Sequence, residues 1–304
     1  MPLPDFLIVG APKAGTTALH AGLAAHPDLY LSPVKEPKFF LTDGPPPTRG
    51  GPGDAQTYRE HVWRRADYEA LFDAAPPGAP RGESTPFYLH DLSAQSRIQK
   101  AIPEARLIAV LRDPVERAHS NWAHLWAAGL EPIGDPVRAC AAEERRVKDG
   151  WAAFWHYTGL GLYGEQLQHL YKLFPEEQIL LLRYRDVRDD AAATLDRICA
   201  FLGVRTGVID TIPRENVTAH VPDTAATRVV QQVLRTGSRV GGYAPRPLRR
   251  AASRPFLSLL QRGQRPRRPL TPEQRERLLP YFADDIALLQ EVTGLDYSDW
   301  LAPR

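Results

Sequence analysis

Residues 6–17 read Phe-Leu-Ile-Val-Gly-Ala-Pro-Lys-Ala-Gly-Thr-Thr, and the fold is read outward from them. The apolar run 6–9 stops at Gly10. The loop after it leads into Ala-Leu-His-Ala-Gly-Leu-Ala-Ala (18–25), whose apolar spacing is helical. The order is strand, tight loop, helix. Against the phosphate-loop pattern G-x-x-x-x-G-K-[ST], Gly10, Gly15 and Thr17 fit, but the lysine is displaced to Lys13 inside the loop. Such a loop aims several backbone N–H groups at one anion, with a helix N-terminus behind it. Ala14 and Gly15 allow close approach, and Thr16 and Thr17 can donate hydroxyls. Taken alone, the pattern also fits a plain glycine-containing turn.

A second unit of the same kind lies at 106–124, Arg-Leu-Ile-Ala-Val-Leu-Arg-Asp-Pro-Val-Glu-Arg-Ala-His-Ser-Asn-Trp-Ala-His. An apolar strand over 106–111 ends in Arg112, and Pro114 opens a helix running to about 128. Arg112 therefore stands at a strand's carboxyl end, where ligands of doubly wound sheets bind. Ser120 lies two turns into the helix, so guanidinium and hydroxyl can hold a second phosphate together. Asp113 and Arg117 read more simply as helix N-terminal charge and an i,i+4 pair. Further strands are expected over 178–182 and near 82–88. A helix is expected over 187–202, with Leu195, Ile198, Cys199 and Leu202 on one face and Gly203 as its stop. A last helix runs from 270–274 towards Val292. Strands alternating with helices predict an α/β fold: one P-loop-like domain, a mostly parallel central sheet and helices on both faces. Residues 41–56, rich in Pro and Gly, are expected to be an irregular, mobile loop.

The chain has 304 residues, long enough for one large α/β domain, and its net charge of +2 gives no argument for bulk nucleic-acid binding. Two distant cysteines, Cys140 and Cys199, exclude a disulfide scaffold or a cysteine-based zinc cluster. No basic segment precedes the first apolar run and no stretch approaches a membrane span, so a cytoplasmic location is expected. The neutral balance hides an asymmetry. Residues 235–268 hold ten arginines and no Asp, Glu or Lys, a charge of +10 against +2 for the whole chain, so the remainder carries −8. Three readings of this insertion stay open. It is a solvated segment, or it closes on the nucleotide or an anionic acceptor, or its Phe-Leu-Ser-Leu-Leu (256–260) makes peripheral contact with an anionic membrane.

The two motifs, about 100 residues apart and in this order, resemble those of the PAPS-dependent sulfotransferases. Pro-Lys-Ala-Gly-Thr-Thr-Ala-Leu (12–19) is similar to their 5′-phosphosulfate loop. Residues 112–120 are similar to their 3′-phosphate segment, R-[DN]-P-x-x-R-x-x-S. Within that superfamily the chain most resembles the heparan sulfate sulfotransferase domains and their bacterial relatives. Leu-Tyr-Leu-Ser-Pro-Val-Lys-Glu-Pro-Lys-Phe-Phe (29–40), Gly-Glu-Ser-Thr-Pro-Phe-Tyr-Leu (82–89) and Asp-Tyr-Ser-Asp-Trp-Leu (296–301) carry this likeness. The resemblance implies that PAPS (3′-phosphoadenosine 5′-phosphosulfate) is co-substrate, adenosine 3′,5′-bisphosphate (PAP) is product, and no metal is needed. It implies that Lys13 contacts the phosphosulfate bridge, that Ala14, Gly15, Thr16 and Thr17 cradle the 5′-phosphate, and that Arg112 and Ser120 hold the 3′-phosphate. Glu36 matches the general base of the heparan sulfate group. Two departures stand out. That group often has a lysine after Gly-Glu, where this chain has Ser84. Its late Lys-Gly-Arg loop has only a weak counterpart here in Arg239, Gly241 and Gly242.

Sulfuryl transfer is an in-line displacement, so positioning and stabilisation of spreading negative charge are what a protein supplies. A lysine at the leaving oxygen and a carboxylate at the acceptor hydroxyl answer those needs. Glu83 and His90 are candidates for orienting the acceptor, a small molecule or glycan. Nine histidines include His61, His90, His119 and His124 as rival bases, but none has a marking partner spacing, and packing or surface roles are expected. The alternatives are a P-loop nucleoside-triphosphate kinase and a non-catalytic nucleotide-binding regulator. The displaced lysine and the arginine in place of a strand-terminal Asp argue against the first. Retention of Lys13 and Glu36 argues against the second. The sequence leaves the acceptor and the oligomeric state open.

Overall fold

The computed structural model describes residues 2–47, 50–213, 219–220, 224–240, 252, 254–256, 265–266 and 269–302. Its centre is a five-stranded sheet of β1 (Phe6–Gly10), β2 (Tyr30–Leu31), β3 (Arg81–Ser84), β4 (Arg106–Leu111) and β5 (Ile179–Arg183). The spatial order is β2-β3-β1-β4-β5, and every pairing is parallel. Neighbouring side chains of a strand point to opposite faces. Every residue of β1 is buried, as are Leu107 to Leu111 of β4, so both faces of the central strands are covered. That is why these strands read as continuous apolar runs rather than alternating ones. Helices surround the sheet, and the expected α/β architecture is what the chain adopts.

The helix Pro114–Ala127 begins where Pro114 and the Asp113 cap dictate, with Asp113 Oδ1 accepting from Val115 N at 3.0 Å and Glu116 N at 3.1 Å. Helices Tyr163–Leu173 and Ala283–Thr293 pack closely. A side chain at Gly164 would fall 2.6 Å from the Asp285 carbonyl oxygen. Asp285 from one helix caps the other, accepting from Gly164 N and Glu165 N at 2.8 and 3.0 Å.

Three expectations need correction. The 187–202 helix is two, Tyr184–Asp189 and Ala191–Leu202, because Asp190 leaves helical geometry to cap the second through Ala193 N. The expected burial of Leu195, Ile198, Cys199 and Leu202 and the left-handed stop at Gly203 hold. The last helix is also broken, into Pro272–Leu278 and Ala283–Thr293 around a 3-10 turn at Leu279–Tyr281, since Pro280 lacks the N–H a continuous helix needs. The loop expected over 41–56 gives way to helix Asp54–Arg59. Its first residue is buried, and the Asp54 carboxylate accepts from Gly51 N (2.5 Å), Ala152 N (2.8 Å) and Trp155 Nε1 (2.9 Å). The arginine-rich insertion expected over about 235–268 has its first residues in helix Ala225–Val240, and most of it lies outside the described residues. Among the described residues no helix is long and apolar enough to cross a membrane.

Candidate active site

From β1 the chain moves to the β2-β3 side of the sheet, and from β4 to the β5 side. The crevice at the carboxyl ends of β1 and β4 is therefore the topological switch point, where α/β sheets take ligands. Both sequence motifs leave the sheet there. Ala11 N donates to Val110 O at 2.8 Å, which seats the first loop against β4. Lys13 (φ 69) and Gly15 (φ 85) adopt left-handed conformations. At Gly15 this is required twice over, since a Cβ would also come 3.1 Å from the Tyr184 ring. Helix Thr16–Leu23 starts immediately after, with no side-chain cap and no acidic residue in its first turn, so its leading N–H groups face the loop. Thr16 is buried and Thr17 partly exposed.

Arg112 ties the two motifs together. Its Nη1 donates to the Lys13 carbonyl at 3.1 Å and its Nη2 to Glu116 Oε2 at 3.3 Å, while the guanidinium lies 4.7 Å from the centre of the Tyr184 ring. Ser120 is buried on the helix beyond. Arg117 is fully buried, donating from Nη1 to Asn121 Oδ1 at 2.9 Å and from Nη2 to the Tyr157 carbonyl. The expected Asp113–Arg117 pair does not form. Asp113 instead meets Arg275 at 2.9 Å, in a pair that is buried on both sides. Burial drives the Arg117 pKa down, and burial drives the Tyr163 hydroxyl well up, with Arg117 and Arg112 opposing. The Nε atoms of Arg112 and Arg117 and the Tyr163 hydroxyl are buried with no hydrogen-bond partner among the described residues. Two guanidinium donors left unspent side by side, with a hydroxyl beside them, suit an anion.

The second half of the site hangs from the carboxyl end of β3. Glu36 N donates to Ser84 O at 3.0 Å and Lys38 N to Thr85 Oγ1 at 3.3 Å. Glu36 (φ 60) and Lys38 (φ 59) are both left-handed. The Glu36 carboxylate receives Lys35 Nζ at 2.5 Å and has Lys38 Nζ at 3.8 Å. Beneath it Glu83 is wholly buried, accepting from Tyr88 OH (2.8 Å), Thr85 Oγ1 (2.9 Å) and Tyr68 OH (3.1 Å). Burial pushes the Glu83 pKa up to about 7, the three hydroxyls oppose, and the charge of Glu36 adds to the rise. Glu83 thus lies below the crevice surface as part of the platform under Glu36. Ser84 Oγ is 2.8 Å from His20 Nδ1, which joins the platform to the first-loop helix. Desolvation, then Lys35, lower His20 to about 4.

The histidines separate. His90 Nε2 faces His156 Nδ1 at 3.3 Å on the Arg117 side, and desolvation lowers its pKa to about 4. His61 lies between the rings of Tyr58 and Trp63, near Lys38. His124, expected to be structural, comes into the site. It is exposed to solvent yet closely surrounded, and its pKa falls to about 4 through desolvation, then Lys13, against the pull of Glu36. It senses both Lys13 and Glu36. Tyr184 and Arg275 were likewise not singled out from sequence. Tyr184 directly follows β5, and a residue just past a strand's carboxyl end is the signal that finds it. Arg239 is the penultimate residue of helix Ala225–Val240, and Gly241 and Gly242 lie outside the described residues. Among the described residues no cluster of three His, Cys, Asp or Glu suits a metal ion. A surface depression at the opposite, amino end of the strands is lined by Asp5 and Arg81, which pair with each other.

Comparison with known proteins meets this geometry. Residues 4–207 match the family model described as "Sulfotransferase family". Human heparan sulfate glucosamine 3-O-sulfotransferase 6 is 31% identical over 209 residues, 68% of this chain and 54% of the relative. Human bifunctional heparan sulfate N-deacetylase/N-sulfotransferase 3 is 28% identical over 219 residues, 66% of this chain and 22% of the relative. The chain thus spans about half, or less, of the length of these curated relatives. A sulfotransferase from Alicyclobacillus acidocaldarius, known from its crystal structure, superposes with a TM-score of 0.76 at 28% identity, covering 99% of this chain and 100% of that one. With the family match spanning both anion motifs and the whole five-stranded sheet, the chain belongs to the sulfotransferase family.

Proposed function

We propose that this chain is a PAPS-dependent O-sulfotransferase, moving the sulfuryl group of PAPS to an acceptor hydroxyl on a carbohydrate, glycolipid or natural product. The observation that carries the reading is the hydrogen bond from Arg112 to the Lys13 carbonyl. It makes one continuous surface of two anion sites, as a nucleotide with phosphates at both its 3′ and 5′ positions demands. The unpartnered Arg112 and Arg117 Nε atoms and Tyr163 hydroxyl are the orphaned groups such a phosphate satisfies. Ser120 adds a hydroxyl there, and the Gly15–Thr17 turn receives the 5′-phosphate. Asp113 is committed to a helix cap and to Arg275, which speaks against the metal-supporting role a strand-terminal Asp has in nucleoside triphosphatases.

The acceptor oxygen forms its bond to sulfur as the bond from sulfur to the bridging oxygen breaks. The electron pair leaves on the phosphate of PAP, where Lys13 neutralises the growing charge. The hydroxyl proton passes to Glu36. Lys35 and Lys38 hold that carboxylate, and the platform of Glu83, Ser84 and Thr85 sets its place. Residues 1–304 act as one domain in this reading, because the C-terminal helices brace the nucleotide pocket through Arg275. The test is calorimetry with PAP in the absence of Mg²⁺, together with mass spectrometry for a sulfated product from PAPS and a panel of acceptors. Binding of PAP no tighter than AMP would remove the two-site basis of the proposal.

A further inference from the structure

The wall of the crevice beyond Glu36 is made of rings. Lys38 Nζ, 3.8 Å from Glu36, lies 5.7 Å from the centre of the Phe87 ring. Phe87 meets Phe154 edge to face with centroids 5.8 Å apart, and Phe154 meets His124 in the same way at 5.5 Å. His124 closes the circuit, since it feels both Lys13 and Glu36. Phe154 and His124 leave part of their surface open to solvent. The neighbouring cations are already engaged, as Lys35 and Lys38 both face the Glu36 carboxylate. Ser84 is buried and bonded to His20.

Resting on the sulfuryl-transfer reading, we propose that the acceptor is an uncharged compound offering a flat ring face beside its hydroxyl, seated against Phe154 next to His124, with buried Phe87 backing that ring, and not a polyanionic glycan. An aromatic wall rewards a neutral ring by burial and by edge-to-face contact. A sulfate or carboxylate brought to the same wall loses hydration and gains a cation only by drawing Lys35 or Lys38 away from Glu36.

The experiment titrates the full chain, loaded with PAP, with 4-nitrophenyl β-glucoside, which is neutral and carries both a sugar and an aryl ring. A sulfated heparan oligosaccharide serves as competitor. The glucoside is expected to bind and to resist displacement by the oligosaccharide. Phe154→Ala is expected to weaken it about 10-fold while PAP affinity stays within about twofold, and Phe154→Tyr to keep it. Phe154→Leu, which preserves volume, replaces the alanine variant if that loses PAP binding through misfolding. Tighter binding of the oligosaccharide, absence of glucoside binding, or indifference to loss of the Phe154 ring overturns the proposal. Failure of the wild-type chain to bind PAP is a separate result, and it strikes the sulfuryl-transfer reading instead.

Discussion

Arg275 and Asp113 form an ion pair at 2.9 Å with both side chains about 5% exposed, and Asp113 is the residue next to Arg112. Arg275 also donates to the Trp300 carbonyl at 2.5 Å and the Ala302 carbonyl at 3.2 Å. A segment outside the family match of residues 4–207 therefore fixes the strand end that presents Arg112, the arginine proposed to hold the 3′-phosphate. Removing one partner of a buried pair strands the other charge, at a cost of about 3–5 kcal/mol. Arg275→Leu is expected to lower unfolding free energy by that order in urea. The double variant with Asp113→Asn should recover part of the loss, and full stability of the single variant would show the pair to be dispensable.

Arg112→Ala removes a charge-assisted contact to the proposed 3′-phosphate. At about 1.5–3 kcal/mol per such bond, PAP affinity should fall roughly 10- to 100-fold, while AMP affinity changes little. Equal losses for the two nucleotides in calorimetry would place the arginine elsewhere.

Lys13 is assigned to charge that develops at the bridging oxygen. Lys13→Ala should lower kcat more than it weakens PAP binding. Steady-state kinetics at saturating PAPS read the first quantity and calorimetry the second. An unchanged kcat takes Lys13 out of the mechanism.

Glu36→Gln keeps shape and hydrogen bonding but cannot accept the proton. Turnover is expected to drop roughly 10²-fold or more, the range of general-base catalysis, with PAP affinity preserved. Near wild-type turnover, with chemistry rate-limiting, would move the base to His124, the histidine the fold brings alongside Lys13 and Glu36. Combining Glu36→Gln with His124→Asn then abolishes what remains.

Glu83 gives the stability profile a sign. Its folded pKa of about 7 lies above the ordinary 4.5, so the folded state holds the proton more tightly. The associated stabilisation is full below about pH 4.5 and is lost as pH rises through 7, amounting to about 3 kcal/mol. His20, His61, His90 and His124, all lowered to about 4, act in the opposite sense between pH 6.5 and 4. The signature is therefore a difference. Wild type minus Glu83→Gln should fall between pH 5 and 8 in denaturant titrations, and a flat difference would mean that the carboxyl is not protonated in the fold.

The parts of this molecule legible in the sequence are those that one short segment determines. The apolar runs of β1 and β4, Pro114 with its Asp113 cap, and the Gly10–Thr17 loop each carry their own signal. Lys13, Thr16, Thr17, Arg112 and Ser120 follow from them. Glu36 became a candidate through family resemblance, since nothing in Lys-Glu-Pro-Lys separates it from a surface carboxylate. β2 has only two residues and shows no periodicity. Asp54 reads as one more polar residue of a glycine-rich loop until residues 151–155 supply its partners. Arg275, Tyr184 and His124 reach the crevice from distant segments, and pairings of that range leave no local pattern to find.

Three non-glycine residues have left-handed backbones among those described, Lys13, Glu36 and Lys38, and all three bring charge to the proposed chemistry. A backbone held there by a side-chain-bearing residue costs of order 1 kcal/mol, which glycine would avoid. A search for thermostable variants that scores the backbone alone would thus rank these positions among its first targets for glycine. It would trade away Lys13, Glu36 and Lys38, the lysine, the base and one of the base's partners in the proposed chemistry, in return for a more durable but silent protein.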